Sequence, residues 1–375
     1  MKILFFINTL CGGGAEKVLV DLLRLLDKQK YQISLLTVEG GVHAERLPDN
    51  ITYKSIIKTK SVFLKKLLQK IIYHLPPKII SALFIRGKYD IEIAYLEGFP
   101  TQVIAARKSR AKKIAFVHCD VSTTSVLRAF YKTKEKSVKE YKKYDKVCFV
   151  SRMAKSGFEQ TEGILDNACV LHNVLDVENI IKKSQETNEI PFDAETFNII
   201  AVGRLTEEKR YDRLIRAAAQ LQDKYKFNVY ILGDGEKRSE LQTMINEQQV
   251  KNVELLGFKK NPYSYIKNAN LFVCSSIFEG YSTVVKECLL LGVPVLTTDC
   301  AGMDELLENG KYGIIVPNND NALIEQLECI LKNPEIISEL RQKIKAQNTC
   351  EQTKELAEYE KLFSEVYSNR SVANV

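Results

Sequence analysis

The chain alternates between short apolar runs and amphipathic segments with a helical period. Near the N-terminus, the apolar run 3–7 leads through a glycine-rich loop into a helical pattern. In the second half, the apolar runs 197–202, 229–232 and 271–273 are each followed by a loop and a helical segment. Strands that alternate with helices in this way are typical of parallel sheets covered by helices. The pattern therefore predicts an α/β fold.

The loop after the run 197–202 carries two cations. Arg204 and Lys209 lie between the end of this predicted strand and a helical pattern over 211–220. Open α/β sheets bind their ligands beyond the carboxyl ends of the strands. Each cation alone is typical of a protein surface. Two cations in one strand-end loop suit a diphosphate, with Arg204 as a bidentate donor and Lys209 as a point charge.

The segment 272–296 holds two carboxylates around the start of a predicted helix. The loop opens at Glu279 and Gly280, and the helical pattern over 283–291 stops at Gly292. Glu287 lies in the second turn of this helix. The backbone N–H groups of 280–284 are the unpaired donors of a helix N-terminus, which suit a phosphate or a sugar hydroxyl. A capped helix with one solvated glutamate is the alternative interpretation.

Three weaker signals follow other predicted strands. Gly233 begins a glycine turn after the run 229–232, and the loop 12–14 consists of three glycines before a helix. Three consecutive glycines allow a ligand to approach the backbone closely. His118 ends the apolar run 113–117, where a lone histidine is more often structural than functional.

Together these motifs resemble the family 4 glycosyltransferases, which are retaining enzymes of GT-B architecture. The matching elements, in chain order, are the loops 12–17 and 203–209, the turn 233–235, and the pair Glu279 and Glu287. The resemblance spans almost the whole chain and is looser between about 40 and 110. It implies an α/β fold with two Rossmann-like domains whose parallel sheets face a cleft.

The resemblance also implies roles for individual residues. Arg204 and Lys209 would neutralise the leaving diphosphate, and Glu287 would accept from the ribose hydroxyls. Glu279 would hold sugar hydroxyls, and His118 would contact the donor sugar. With these cations present, we expect neither a metal nor another cofactor. The expected nucleotide-sugar contacts are Gly13, Gly14, Arg204, Lys209, Gly233, Phe258, Glu279, Gly280, Tyr281, Ser282, Thr283, Val284 and Glu287.

The expected activity is the transfer of a hexose or N-acetylhexosamine from a nucleotide sugar, with UDP favoured as the nucleotide. The acceptor would be a glycan or a lipid-linked saccharide in the synthesis of capsule, lipopolysaccharide or another cell-surface polysaccharide. A nucleotide-sugar epimerase of the same architecture and a GDP-mannose-dependent mannosyltransferase are the alternatives. A nicotinamide oxidoreductase is disfavoured, because the loop 12–16 lacks the full GxGxxG spacing.

The domain boundary is predicted from composition. The polar segment 177–196 separates an acceptor-binding domain at 1–176 from a nucleotide-sugar-binding domain at 197–350. The tail over 353–368 has the pattern of an amphipathic helix. In the resembling family such a helix packs back on the first domain. A helix that caps the second domain is the other possibility.

Composition adds expectations about location. The nine cysteines are scattered without a CxxC pair, which favours a reducing cytosol and no zinc site. No secretory signal is recognised at the N-terminus, and no run reaches the roughly 20 apolar residues of a membrane span.

The net charge of +7 is concentrated in the first half of the chain. Nine Lys or Arg residues and no Asp or Glu lie between Lys54 and Lys88, interleaved with apolar residues. Basic amphipathic helices are typical of membrane surfaces. We therefore expect a cytoplasmic protein held peripherally at the inner face of the cell membrane. A solvated helix face or an acceptor site is the alternative. No recognition motif for nucleic acid accompanies the basic runs.

Overall fold

The computed structural model of the protein describes residues 1–59, 61–187, 192–193, 195–347 and 351–368. Within these ranges the strands form two sheets in which every pair is parallel. The strands are β1 (Lys2–Ile7), β2 (Gln32–Glu39), β3 (Thr52–Ile57), β4 (Ile91–Ala94), β5 (Lys112–Val117), β6 (Lys146–Phe149), β7 (Ala168–Val170), β8 (Phe197–Val202), β9 (Phe227–Leu232), β10 (Val253–Gly257), β11 (Leu271–Cys274), β12 (Val295–Thr298) and β13 (Gly313–Val316).

Helices follow most of the strands, as a parallel sheet requires for its crossover connections. The helices are α1 (Gly14–Leu25), α2 (Val62–His74), α3 (Pro77–Phe84), α4 (Phe99–Ala106), α5 (Val126–Phe130), α6 (Lys134–Tyr141), α7 (Arg152–Thr161), α8 (Val177–Ser184), α9 (Tyr211–Leu221), α10 (Arg238–Glu247), α11 (Tyr263–Asn268), α12 (Thr283–Leu290), α13 (Met303–Leu306), α14 (Asp320–Lys332), α15 (Glu335–Gln347) and α16 (Glu351–Ser368). Short 3₁₀ helices cover Val42–Arg46 and Glu207–Lys209.

The chain divides into two compact units. The first comprises Met1–Asp176 and the segment from Gln352 onward, and the second comprises Val177–Glu351. The segment 177–196, which composition suggests as a linker, contributes α8 to the second unit. Ile180 of this helix is buried, and the Asn261 side-chain amide donates to the backbone carbonyl of Lys183 at 2.9 Å. The second unit therefore begins earlier than residue 197.

The first unit is built around a sheet with the strand order β3-β2-β1-β4-β5-β6-β7. The order reverses direction at β1, where Phe5 pairs with Leu35 of β2 on one side and Ile93 of β4 on the other. Side chains alternate between the two faces of a strand. Phe5 therefore lies in the core on one face, while Phe6 lies in the core on the other.

The second unit repeats this topology with the order β10-β9-β8-β11-β12-β13. Here β8 lies at the reversal, and Ile200 pairs with Tyr230 of β9 and with Phe272 of β11. Both sheets are thus doubly wound and Rossmann-like. The predicted fold class, α/β with two Rossmann-like domains of parallel strands, is confirmed.

The C-terminal helix α16 packs on the first unit. Its apolar side chains Tyr359, Phe363 and Val366 are buried in the same core as Phe5 of β1. The Phe5 and Phe363 rings meet edge to face with 6.4 Å between their centroids. Burial of this apolar stripe holds α16 against the sheet that contains β1.

Helices α2 and α3 of the first unit leave an apolar surface exposed. Ser61 caps α2 by accepting from the backbone N–H of Leu64, and Ile72 anchors the helix in the core. The opposite side is open, with Phe63 76% and Val62 68% exposed. None of the described helices combines the length and the hydropathy that a membrane span needs.

Candidate active site

The predicted site residues of the second unit follow four neighbouring strands of its sheet. Arg204 and Lys209 come after β8, Gly233 after β9, Phe258 after β10, and the segment 279–284 after β11. Because the strands are parallel, their carboxyl ends lie along the same edge of the sheet. This edge is where open α/β sheets bind their ligands. Two cations, a carboxylate and a helix N-terminus therefore lie along the same edge of the second sheet.

Lys209 and Glu279 form an ion pair at this edge. Lys209 Nζ donates to Glu279 Oε1 at 2.7 Å, and the Lys209 and Glu279 side chains are only 23% and 12% exposed. Burial works against the charge on Lys209, but the facing carboxylate of Glu279 raises the pKa of Lys209 overall. Lys209 is therefore held as a cation, and its contact with Glu279 fixes the orientation of both side chains.

One oxygen of Glu279 collects further donors. Ser276 Oγ donates to Oε1 at 2.7 Å, and Cys274 Sγ lies 3.7 Å from the same oxygen. The second oxygen, Oε2, has no hydrogen-bond partner within the described part of the chain. The carboxylate is thus anchored through Oε1.

The loops that carry the two members of this pair are joined through their backbones. The Ser275 hydroxyl donates to the carbonyl of Lys209 at 2.8 Å, and the backbone N–H of Ile277 donates to the carbonyl of Glu208 at 2.8 Å. Arg210 follows in the left-handed conformation with φ 47°, which turns the chain into α9. The position of Lys209 is therefore fixed at its backbone as well as its side chain.

Gly233 lies where the loops after β8 and β9 touch. A Cβ atom at this position would lie 1.8 Å from the carbonyl oxygen of Gly203, and the φ of 142° also favours glycine. The neighbouring loops are hydrogen bonded, since the backbone N–H of Leu205 donates to the Asp234 carbonyl at 3.0 Å. Arg204, between Gly203 and Leu205, turns an exposed side chain outward from this junction.

Helix α12 begins inside the predicted sugar-binding segment. Ser282 is its N-cap, and the Ser282 hydroxyl accepts from the backbone N–H of Val285. Glu287, in the second turn, is 2% exposed. On the loop before the helix, the centroid of the Tyr281 ring lies 6.0 Å from Lys286 Nζ. Phe258, which follows β10, is largely exposed. The segment thus presents a helix N-terminus beside one anchored and one buried carboxylate.

The remaining predicted site residues belong to the first unit. Gly13 is the N-cap of α1 and Gly14 its first residue, after β1. His118 follows β5, and its backbone N–H donates to Glu97 Oε2 at 2.9 Å. The His118 ring packs against Tyr95 with 4.9 Å between centroids, and its Nε2 is buried without a hydrogen-bond partner in the described ranges.

Burial determines the charge state of His118. It lowers the pKa of His118 to about 3, so the imidazole is neutral near pH 7. Burial also raises the pKa of the neighbouring Glu97 carboxyl. A neutral His118 is suited to hydrogen bonding and is too weakly basic to take up a proton near pH 7.

Several residues of the sites are not indicated by sequence patterns. Ser276 binds Glu279, and Glu97 holds the backbone at His118. Asn318, after β13, donates to the carbonyl of Ile277 at 2.8 Å. The Ser275-Ser276 pair at the end of β11 is the one available signal, because hydroxyls at a strand end are placed to bind neighbouring loops. No group of three or more potential metal ligands occurs in the part of the chain that the structure describes.

Two family models match the chain in consecutive segments. The model described as Glycosyltransferase Family 4 matches residues 12–179, and the model described as Glycosyl transferases group 1 matches residues 182–349. The protein is thus a glycosyltransferase, and the resemblance seen in its sequence is confirmed. It belongs to the family 4 glycosyltransferases of GT-B architecture.

Individual relatives match over nearly their full length. The chain is 29% identical to N-acetylgalactosamine-N,N'-diacetylbacillosaminyl-diphospho-undecaprenol 4-alpha-N-acetylgalactosaminyltransferase of Campylobacter jejuni, over 92% of this chain and 94% of that protein. It is 26% identical to a second Campylobacter jejuni enzyme, an alpha-1,4-N-acetyl-D-galactosaminyltransferase, over 91% of each chain.

Solved structures share the fold at low sequence identity. Anabaena HepE in complex with UDP superposes with a TM-score of 0.75 and 19% identity, over 97% of this chain and 100% of that chain. WaaG, a glycosyltransferase involved in lipopolysaccharide biosynthesis, gives a TM-score of 0.69 and 12% identity, over 96% and 99% of the two chains. These similarities support the GT-B architecture.

Proposed function

We propose that the protein transfers a hexose or N-acetylhexosamine from a UDP-sugar to a lipid-linked saccharide in cell-surface polysaccharide synthesis, with retention at the anomeric carbon. The observation that carries this proposal is the anchored ion pair of Lys209 and Glu279. In this pair, the cation that we assign to the diphosphate lies beside the carboxylate that we assign to the sugar. Both follow strands at the edge of the sheet where open α/β sheets bind their ligands.

The charges of this edge suit the bond that breaks. Cleavage between the anomeric carbon and phosphate develops negative charge on the leaving diphosphate and positive charge on the sugar ring. Arg204, Lys209 and the N-terminus of α12 would stabilise the diphosphate, because fixed donors act where charge develops. Glu279 Oε2 would accept a sugar hydroxyl and support the cationic ring, while Glu287 would accept from the ribose.

The contacts from the first unit are proposed from the resemblance. His118 would donate a hydrogen bond to a sugar hydroxyl, a role that fits an imidazole held neutral by burial. The backbone of Gly13 and Gly14 at the start of α1 would lie against the donor. The acceptor proton would pass to the leaving phosphate on the donor's own face, so that no protein base is needed.

The acceptor and donor classes are supported by the names of similar proteins. A Campylobacter relative acts on a diphospho-undecaprenol-linked saccharide, and HepE was crystallised with UDP. The exposed apolar side of α2 and its lysines would hold the protein at the anionic inner face of the membrane, where such acceptors lie.

No metal is required if cations and helix ends neutralise the diphosphate. We expect turnover to continue in EDTA at an unchanged rate. Loss of activity in EDTA that Mg²⁺ or Mn²⁺ restores would contradict the cation-only assignment.

Thermal unfolding with a panel of nucleotide sugars tests the donor assignment. A ligand at 100 times its dissociation constant adds about 2.7 kcal/mol of stability. We expect UDP and one UDP-sugar to raise the unfolding temperature of the wild type, and GDP-mannose to leave it unchanged. A shift with GDP-mannose alone would replace the UDP assignment with the mannosyltransferase alternative.

A further inference from the structure

Asn318 joins the loops after three strands of the second sheet. It lies two residues beyond the end of β13. Its side-chain amide donates to the carbonyl of Ile277 at 2.8 Å and to the carbonyl of Asp299 at 3.1 Å. Ile277 belongs to the loop after β11 and Asp299 to the loop after β12. One amide group therefore fixes the spacing between two loops from a third.

The acceptor side of Asn318 is held as firmly as its donor side. Arg213 Nη1 donates to Asn318 Oδ1 at 2.5 Å, and Arg213 Nε lies 2.9 Å from Asp320 Oδ1. Arg213 is only 6% exposed, so its guanidinium is part of the interior of the unit. Because the carbonyl oxygen of Asn318 faces this cation, its NH₂ group is oriented toward the loop carbonyls.

The loop that Asn318 holds is the one that carries Glu279. Both backbone polar groups of Ile277 are hydrogen bonded. Its carbonyl accepts from the Asn318 side chain, and its N–H donates to the backbone carbonyl of Glu208 at 2.8 Å. The preceding Ser276 carbonyl has additional support from Thr298 Oγ1 at 2.6 Å, so its longer contact with Asn318 at 3.3 Å adds less. Ile277 is therefore the point at which Asn318 controls the loop.

We propose that Asn318 is a positioning residue of the donor site, which holds the Ile277 carbonyl and thereby the carboxylate of Glu279 in register with Lys209. This inference rests on the proposed function and assigns a role outside the matched motifs. Asn318 itself touches no substrate in this account. Misplacement of a reacting group by about 1 Å can cost on the order of 100-fold in rate.

The chain supplies a matched control at the next residue. Asn319 is also an asparagine after β13, but its Oδ1 accepts from the backbone N–H of Ala322 and caps α14. Asn319→Ala removes a capping bond and lowers stability without touching the loop after β11. Comparing it with Asn318→Ala separates a general loss of stability from a specific effect on the donor site.

Asn318→Asp provides a second, isosteric variant. Its carboxylate still accepts from Arg213, so the variant keeps the shape and the contact on that side. It cannot donate to the carbonyls of Ile277 and Asp299, and its charge repels them. We expect Asn318→Asp to lose at least as much turnover as Asn318→Ala while remaining folded.

The experiment measures sugar transfer and nucleotide affinity in the full-length protein. We expect both Asn318 variants to lower kcat about tenfold to 100-fold. The affinity for UDP should change less than about threefold, because Arg204 and Glu287 lie outside the loop after β11 that Asn318 holds. Asn319→Ala should keep kcat within about twofold. Equal losses of kcat in Asn318→Ala and Asn319→Ala, or wild-type kcat in both Asn318 variants, would overturn the inference.

Failure of the proposed function has a different signature. If the wild-type protein neither binds UDP-sugars nor transfers sugar, the proposed function fails before any variant is compared. If the wild type transfers sugar and both Asn318 variants keep its kcat, the positioning role is wrong and the proposed function stands.

Discussion

Lys209 Nζ lies 2.7 Å from Glu279 Oε1, although the two residues are 70 positions apart in the sequence. The contact joins the loop after β8 to the loop after β11, neighbouring strands at the reversal point of the second sheet. The pair connects the cation assigned to the diphosphate with the carboxylate assigned to the sugar. The two assigned functions are therefore coupled, and loss of either member leaves a largely buried charge without its partner.

Removing the cations of the β8 loop should abolish most turnover. We expect Arg204→Ala and Lys209→Ala each to lower kcat about 100-fold or more, because fixed donors at a developing charge supply factors of about 10² to 10³. Lys209→Ala should have the larger effect on stability, since it leaves Glu279 without its partner. Steady-state kinetics and thermal unfolding of the purified variants measure both quantities.

Lys224→Ala is the matched control for charge removal. Lys224 lies in the same unit and pairs with Glu328 at the surface, with 59% of its side chain exposed. It should retain wild-type kcat. Turnover near the wild-type level in both Arg204→Ala and Lys209→Ala would remove these residues from the site.

The two glutamates should separate nucleotide binding from sugar binding. Glu287→Ala should weaken free UDP and the UDP-sugar alike, because its proposed partner is the ribose. Glu279→Ala should weaken mainly the UDP-sugar, because Oε2 faces the sugar in this account. Isothermal titration with both ligands measures the difference. Parallel losses for UDP and UDP-sugar in both variants would contradict this division of roles.

The sequence is informative about backbone and less so about side-chain partners. The strand-end loops at Arg204, Gly233 and Glu279 are predictable, because each follows an apolar run and precedes a helical period. The pairing of Lys209 with Glu279 is not, since it depends on which strands become neighbours. The role of Asn318 cannot be predicted either, because a single asparagine after a strand has no distinctive sequence pattern.

Burial explains the other differences. The segment 177–196 has the composition of a linker, yet α8 forms within it as part of the second unit, and Ile180 is buried there. The charge state of His118 likewise depends on the rings of Tyr95 and Phe116 around it. Neither environment can be read from local sequence, because both are assembled from distant parts of the chain.

The exposed face of α2 and α3 should bind anionic membranes. We expect the wild type to float with anionic liposomes and to be released by salt, because charge attraction is screened over about 8 Å at physiological ionic strength. Changing Lys66, Lys70 and Lys78 together to Glu should abolish flotation. These lysines are exposed, whereas Lys65 pairs with Glu39 and is better left intact.

A control for this experiment carries the same change of charge elsewhere. Lys226, Lys251 and Lys267 are exposed on the second unit, and their triple change to Glu should leave flotation unaffected. Donor binding should survive in the triple variant of Lys66, Lys70 and Lys78. If the wild type fails to float with anionic vesicles even at low salt, α2 and α3 are ordinary solvated or acceptor-binding elements.

His118 should make stability depend on pH. Its pKa of about 3 in the folded protein lies below the 6.5 of an ordinary histidine, so the unfolded chain binds more protons between these values. The free energy of unfolding is therefore unaffected by His118 well above pH 6.5, and it falls as the pH drops from 6.5 toward 3. At pH 5 the loss amounts to about 2 kcal/mol.

Thermal unfolding between pH 7.5 and pH 4.5 measures this dependence. His118→Gln should show a smaller decrease in unfolding temperature than the wild type, because glutamine does not titrate. His74→Gln, at an exposed histidine of α2, is the control for the substitution itself. Identical slopes in the wild type and His118→Gln would show that His118 is protonated equally in both states.

Product analysis with a labelled UDP-sugar tests the central claim most directly. The protein is incubated with the donor, with and without a lipid diphosphate-linked saccharide, and all labelled products are separated. We predict free UDP and a glycosylated acceptor only when the acceptor is present, with the α-anomeric configuration of the donor retained. An isomeric UDP-sugar formed without acceptor, or a product with inverted configuration, would contradict the account.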